Sequence, residues 1–226
     1  MADRRMDDAG HRLISEAVAA AEQGTAGEIV TIVADRSDAY HDVGLHWAIA
    51  AMLLVPALLA LFPHWIVMLL NRFSNGWAEE PRLASVMLAL FALMTIAFLV
   101  VRYALAWMPL RMALTPGATK DRRVRRRAVA FFKVGAERRT SGRTGILIYL
   151  SMAEHRAEIV ADEAIHSRVA REAWGDAMIA LIDHVRAGRT AEGMAAAVAQ
   201  VGGILAQAFP RGADDVNELP DRLIEL

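Results

Sequence analysis

Residues Glu28–Ala34 read EIVTIVA, a β-branched and almost continuously apolar run bounded by Gly27 and Asp35. A run of this kind is a strand buried on both faces, so the fold must place helices above and below it. The segment before it offers one helix: Leu13, Ile14, Ala17, Val18 and Ala21 recur at helical spacing, and the pattern stops near Gly24 and Gly27. One helix and one strand cannot bury such a strand, so it must pair with segments later in the chain.

Those partners are legible after residue 120. From Asp121 onward, Val124, Ala128, Phe131, Phe132 and Gly135 mark one face of a helix whose other face is dense in arginine. A loop from Arg139 to Gly145 leads to strands expected at Ile146–Leu150 and Glu158–Ala161, and the short Ser151–His155 connection makes them an antiparallel hairpin. Trp174, Met178, Leu181, Ile182 and Val185 form the stripe of a further helix that stops at Gly188. Met194, Ala197, Val198, Val201, Leu205 and Phe209 form that of another. The tail Asn217–Leu226 is short and either docks or frays. A helical crossover between Glu28–Ala34 and Ile146–Leu150 predicts parallel strands with a right-handed connection.

Two long uncharged runs separate the first strand from its partners. Between Asp42 and Arg72 stand 29 residues without Asp, Glu, Lys or Arg, and between Arg82 and Arg102 another 19. A hydrocarbon core of about 30 Å needs roughly 20 helical residues, and both runs reach that length. Spans are expected near Leu45–Leu69 and Leu83–Trp107. Trp47 and Trp107 then fall at one interface, with Trp65 and Trp77 toward the other. Pro56 should kink the first span and Pro63 lies at its far end, while Arg102 extends its tip to the headgroups.

The 226 residues are 55% hydrophobic and 23% charged, which excludes a disordered chain. The absence of Cys removes disulfides, thiolate catalysis and Cys-based metal sites. Met1–Arg5 leads into a charged amphipathic segment, which does not read as a secretory signal peptide. The net charge of −1 conceals an asymmetry: Arg111, Lys120, Arg122, Arg123, Arg125, Arg126 and Arg127 follow the second span, whereas Arg72 and Arg82 alone lie between the spans. That bias predicts a multi-pass membrane protein with both termini cytoplasmic and Asn71–Arg82 on the far side. Taken together, the pattern is a single α/β domain, one mixed sheet covered by helices, interrupted after its first strand by a two-helix transmembrane hairpin. The expected boundaries are 1–43 for the first part of the domain, 44–109 for the hairpin, 110–212 for the second part and 213–226 for the tail.

GEIVTIVADRSDAY at Gly27–Tyr40, FFKVGAERRTSGRTGILIYLSMAEHRAEIVAD at Phe131–Asp162 and AGRTAEGMAAAVAQVGGILAQAFP at Ala187–Pro210 resemble the TPM domain family. The NELPD tail at Asn217–Asp221 is similar to that of its bacterial two-span membrane subgroup. The resemblance implies a mixed sheet covered by helices. Relatives include thylakoid-lumen repair proteins, and some are acid phosphatases or bind calcium or other divalent ions. Where those relatives carry Asp-Asn before the Gly of the central strand, this chain has Arg143-Thr144 before Gly145, a cation in place of an oxygen ligand.

The candidate chemistry is sparse. Asp35 follows the first strand, and Asp162 and Glu163 follow the third, so acids beyond strand ends are the metal candidates, with calcium the cofactor to consider. His41 and His46 lack metal-binding spacing and read as interfacial packing; His155, His166 and His184 are scattered. Ser141–Gly145 is rich in Gly with one Arg but lacks GxxxxGK[ST], and reads as a plain loop. Arg122, Arg123, Arg125 and Arg126 form a juxtamembrane cluster suited to anionic lipid headgroups. No aromatic platform accompanies it, so nucleic acid is not an expected partner. The leading expectation is a non-enzymatic interaction or scaffold module at the membrane surface with an unidentified membrane-protein partner. The alternative is a divalent-ion-dependent acid phosphatase.

Overall fold

A computed structural model describes residues 6–73, 82–135, 144–212 and 222–226, without the side chain of Arg171. The chain divides into two compact units, one formed by Met1–Asp38 and Gly117–Leu226 and the other by Ala39–Pro116.

In the first unit, α1 (Asp8–Glu22) begins where the Asp7 side chain accepts the Gly10 N–H at 2.8 Å, and it leads to β1 (Glu28–Ala34). After the second unit the chain resumes as α6 (Gly117–Gly135), β2 (Gly145–Ser151), β3 (Arg156–Ala161), the short α7 (Glu163–His166), a 3-10 turn (Arg171–Trp174), α8 (Gly175–Arg186), α9 (Thr190–Ala208) and β4 (Ile224–Glu225). The sheet order is β3-β2-β1-β4. β1 is parallel to both β2 and β4, and β2 is antiparallel to β3. EIVTIVA thus lies inside the sheet, next to β2.

Alternation along the strands sorts two cores, because successive side chains point to opposite faces. Ile29, Val33, Ile146, Ile148 and Leu150 face a layer built by Ile14 and Val18 of α1, Leu181 of α8 and Met194, Val198 and Val201 of α9. Ile32, Ala34, Leu147 and Tyr149 face Val124, Ala128 and Phe132 of α6. The mixed sheet with helices on both faces agrees with the expected architecture. α8 and α9 meet through Gly188 at φ +75°, where the Arg189 N–H donates to the His184 carbonyl at 3.0 Å, a left-handed helix cap that suits glycine.

Several local expectations change. Leu13 is 40% exposed and does not join the core; Ile14 and Val18 carry that face of α1. The arginine-rich helix starts at Gly117, before Asp121. Trp174 sits in the 3-10 turn and not on α8, so the buried face of α8 is Ala177, Leu181 and Val185. His155, at φ 49°, occupies the β2–β3 turn. The end of the tail forms β4, where the Leu226 N–H donates to the Val33 carbonyl at 3.0 Å and the Asp35 N–H to the Leu226 carbonyl at 2.9 Å. Residues Asn217–Asp221 lie outside the described residues.

The second unit consists of α2 (His41–Leu61), α3 (His64–Phe73), α4 (Leu83–Ala104) and α5 (Met108–Ala113). α2 and α4 are long and apolar enough to cross a membrane. The expected continuous span Leu45–Leu69 is broken at Phe62–Pro63: proline cannot donate to the preceding turn, so α2 closes with the Phe62 N–H on the Leu58 carbonyl at 2.9 Å and α3 restarts at His64. The Phe62 and Trp65 rings stack across this break at 5.1 Å. Pro56 lies inside α2. The second apolar helix ends at Ala104, short of Trp107. Trp77 and most of the Asn71–Arg82 connection lie outside the described residues.

Candidate functional site

The three acids considered for a metal do not converge. Asp35 follows β1 at the end where Ala34 pairs with Ser151, whereas Asp162 and Glu163 follow β3 at the opposite end, where Ala161 pairs with Ile146. Five residue steps along β2, at about 3.3 Å each, place roughly 17 Å of strand between those pairs. Asp162 is buried, and one of its carboxylate oxygens accepts the Gly145 N–H at 3.1 Å, holding the start of β2; Asp35 and Glu163 are exposed. Among the described residues no group of three or more His, Asp or Glu is placed to hold a metal ion. Asp35, Asp162 and Glu163, so placed, do not together form the calcium site that the resemblance implied.

A different polar cluster, not anticipated from the sequence, occupies the carboxyl ends of the parallel strands β1 and β2. Tyr149 and Ser151 of β2 and Glu154 of the β2–β3 turn are buried, and Ser37 reaches them from the loop after β1. The Ser37 N–H donates to one Glu154 oxygen at 2.9 Å, and the Ser151 hydroxyl donates to the other. Ser37 Oγ donates to Ser151 Oγ at 2.9 Å and lies 3.0 Å from the Tyr149 hydroxyl. Since each hydroxyl has one proton, the chain runs in one direction: Tyr149 to Ser37, Ser37 to Ser151, Ser151 to Glu154.

Burial pushes the Tyr149 phenol above its ordinary value of 10.0, and the Glu154 charge adds to this. The hydrogen bonds with Ser37 and Ser151 and the positive Arg127 act in the other direction. A phenol held protonated is the donor this chain requires. The Glu154 carboxylate accepts from both the Ser151 hydroxyl and the Ser37 N–H, and the arrangement fastens the loop after β1 to the β2–β3 turn. The only sequence signal was Ser151 three residues before Glu154, a spacing as common in turns as in functional sites.

The arginines of α6 separate into two sets. Arg123, with its side chain 15% exposed, pairs with Asp38 at 3.0 Å, and Arg125 lies 3.8 Å from Glu158. Arg127 stacks on Phe131 at 4.7 Å. Arg122 and Arg126, one turn apart, are exposed; Arg122 donates within its own helix, to the Ala118 carbonyl and the Thr119 hydroxyl, both at 3.3 Å. Helical geometry places these two on the face opposite Val124 and Ala128.

In the second unit, Arg111 is 3% exposed and forms a further unanticipated feature. It donates from Nε to the Leu105 carbonyl and from one terminal nitrogen to the Ala39 carbonyl, both at 2.7 Å, and lies 3.4 Å from His41 Nδ1. This guanidinium ties the start of α2 to the end of α4 and satisfies a helix-terminal carbonyl that has no partner within its own helix. In the phosphate-loop candidate, Ser141, Gly142 and Arg143 lie outside the described residues, while the Thr144 hydroxyl donates to the Ala26 carbonyl at 2.9 Å.

No protein-family model matches the chain, and no curated protein does. Among solved structures, the NMR structure of the BA42 protein from the psychrophilic bacterium Bizionia argentinensis is similar, covering 100% of this chain and 99% of that one with a TM-score of 0.56. The two share 16% identity, so the likeness concerns the fold alone.

Proposed function

We propose that the chain is a two-span protein of the bacterial inner membrane, of the TPM domain type, whose α/β unit works on the cytoplasmic side as a non-enzymatic interaction module. The observation that carries this reading is the exposure of α4: none of its residues is buried, with Leu88 at 70% and Phe91 at 68%. Apolar surface of that extent in water would cost about 25 cal/mol per Å², and a bilayer removes the cost. The charge bias around the two helices supports cytoplasmic termini. A reporter active only in the periplasm, fused after Leu226, should stay silent; a strong signal would overturn the topology.

The exposed Arg122 and Arg126 are the part of the basic cluster best suited to anionic headgroups, since Arg123 and Arg125 have acidic partners within the unit. Each exposed cation contributes about 1 kcal/mol near an anionic leaflet, fading over roughly 8 Å at physiological salt. The protein in neutral nanodiscs should bind anionic liposomes in a salt-sensitive way that Arg122→Gln with Arg126→Gln weakens. Binding indifferent to both changes would reduce the cluster to a topology signal.

The phosphatase alternative makes a separate demand. Turnover of a generic phosphate ester by the full-length protein, requiring Ca²⁺, Mg²⁺ or Mn²⁺ and lost in Asp35→Asn or Glu163→Gln, would replace the module reading with an enzyme. Both side chains are exposed, so these substitutions leave the core intact.

A further inference from the structure

The edge strands of the sheet are β3 and β4, and they differ in length. β4 has two residues along β1, whereas β3 has six, without proline and in unbroken register with β2. The Asp162 N–H donates to the Gly145 carbonyl at 3.0 Å, which sets the alternation of the antiparallel ladder. Arg156, Glu158 and Val160 direct their main-chain groups at β2, and Ala157 and Ile159 direct theirs away from the sheet. Among the described residues nothing takes these outward groups up.

Beside this edge runs a groove of about 250 Å³ with Ala157–Val160 as its floor. Arg125 and Val129 of α6 line one side, and Trp174, Gly175 and Met178 line the other. The Arg125 side chain is 55% exposed and its pairing with Glu158, at 3.8 Å, is loose. Across the groove Trp174 is buried, and its indole N–H has no acceptor among the described residues.

We propose that this groove binds an extended segment of a partner protein by strand addition to β3, with acidic side chains toward Arg125 alternating with apolar ones toward Trp174 and Met178. Backbone bonding to Ala157 and Ile159 supplies affinity, and the alternate side chains supply selectivity. An acidic side chain of the occupant joins Glu158 on the half-exposed Arg125, whose guanidinium carries five N–H donors and meets Glu158 only at 3.8 Å. A second copy pairing through its own β3 is the competing occupant, and a dimer of the protein in detergent that the acidic peptide does not dissociate would overturn the proposal. A floor of four residues spans about 13 Å, which fits four or five residues of the occupant. This inference rests on the interaction-module reading and gives it a partner class.

Gly175 allows a direct test. Its backbone is helical, and a Cβ built there meets nothing within 4 Å, so the backbone accommodates a side chain and Gly175→Phe adds bulk at the groove wall. The full-length protein in neutral nanodiscs is titrated with a fluorescent eight-residue peptide of alternating Val and Glu. Two control peptides carry Lys in place of Glu, or N-methyl groups that remove the backbone donors facing β3. Saturable binding is expected, weaker by at least about tenfold for both controls and for Gly175→Phe, whose thermal midpoint should match the wild type. Hydrogen exchange at the Ala157 and Ile159 amides should slow on binding.

Absence of binding, or equal binding by the N-methyl peptide or by Gly175→Phe, overturns the proposal. Crosslinking in native membranes separates this outcome from failure of the module reading. A partner captured equally by wild type and Gly175→Phe refutes the groove and leaves the module standing, whereas loss of every crosslinked partner from the wild type refutes the module.

Discussion

The α/β unit and the helical hairpin are both rich in branched apolar side chains, and they place them in opposite ways. All seven residues of β2 are buried, while α4, with 22 residues of higher apolar content, buries none. Hydrophobicity alone therefore does not say where a segment lies. The strand is apolar because its own chain covers it on two faces; the helix is apolar with its side chains uncovered by the described residues, and on the topology proposed above a bilayer covers them. Polar groups make the same contrast. In the α/β unit, Ser37, Tyr149, Ser151 and Glu154 satisfy one another, whereas in the second unit the buried Arg111 and Thr115 donate to main-chain carbonyls.

Equivalent substitutions in the two regions would break this contrast if it were false. Leu147→Ala removes a side chain with no exposure and should destabilise the α/β unit by about 2–5 kcal/mol, read from chemical denaturation in detergent. Leu88→Ala should change the same transition by less than about 0.5 kcal/mol. Comparable effects would mean that α4 packs as a core helix.

Arg111→Met keeps most of the side-chain stem and leaves the Leu105 and Ala39 carbonyls without their charged donor, at a cost of about 2–4 kcal/mol. Protease resistance of the hairpin in detergent should fall, and Arg111→Lys should recover it only in part, because an ammonium lacks the fork that reaches both carbonyls. Full recovery by lysine would show that charge alone matters there.

A third comparison lies within one helix. A Cβ at Gly202 would meet the Ala21 Cβ at 2.5 Å, so α1 and α9 approach closely there, whereas at Gly203 it would meet nothing within 4 Å. Gly202→Ala should cost about 1–3 kcal/mol, while Gly203→Ala should stabilise by up to about 1 kcal/mol through its better helix propensity. The thermal midpoints of the two variants should move in opposite directions.

The smallest effect concerns the buried phenol. Tyr149→Phe removes one hydrogen bond and should cost about 1 kcal/mol at neutral pH. Because burial raises the folded-state value above 10.0, the unfolded chain releases this proton first, so its contribution is complete below that pH and is lost as pH rises through the folded value. The variant should lack this part of the alkaline decline in stability. An identical alkaline profile would show that Tyr149 does not titrate with unfolding.

The type and order of the main elements were legible because local patterns report local burial. EIVTIVA named a doubly covered strand, the arginine-backed stripe named α6, and two uncharged runs named the long apolar helices. The break at Pro63 was present in the sequence but masked by the apolar residues on both sides of it. The 3-10 turn at Trp174 was hidden because its indole continued a helical spacing that the backbone does not follow.

What only the tertiary structure decided is which polar atoms meet. Ser37 and Glu154 are 117 residues apart, and strand register alone brings them together; the same register carries Asp35 and Asp162 to opposite ends of the sheet. β4 has two residues, too few to show a period, and its place follows from the unpaired edge of β1. Side-chain periodicity along a chain records which face of an element is buried. Strand order and register, set by the packing of distant segments, determine which donor finds which acceptor and which edge stays open.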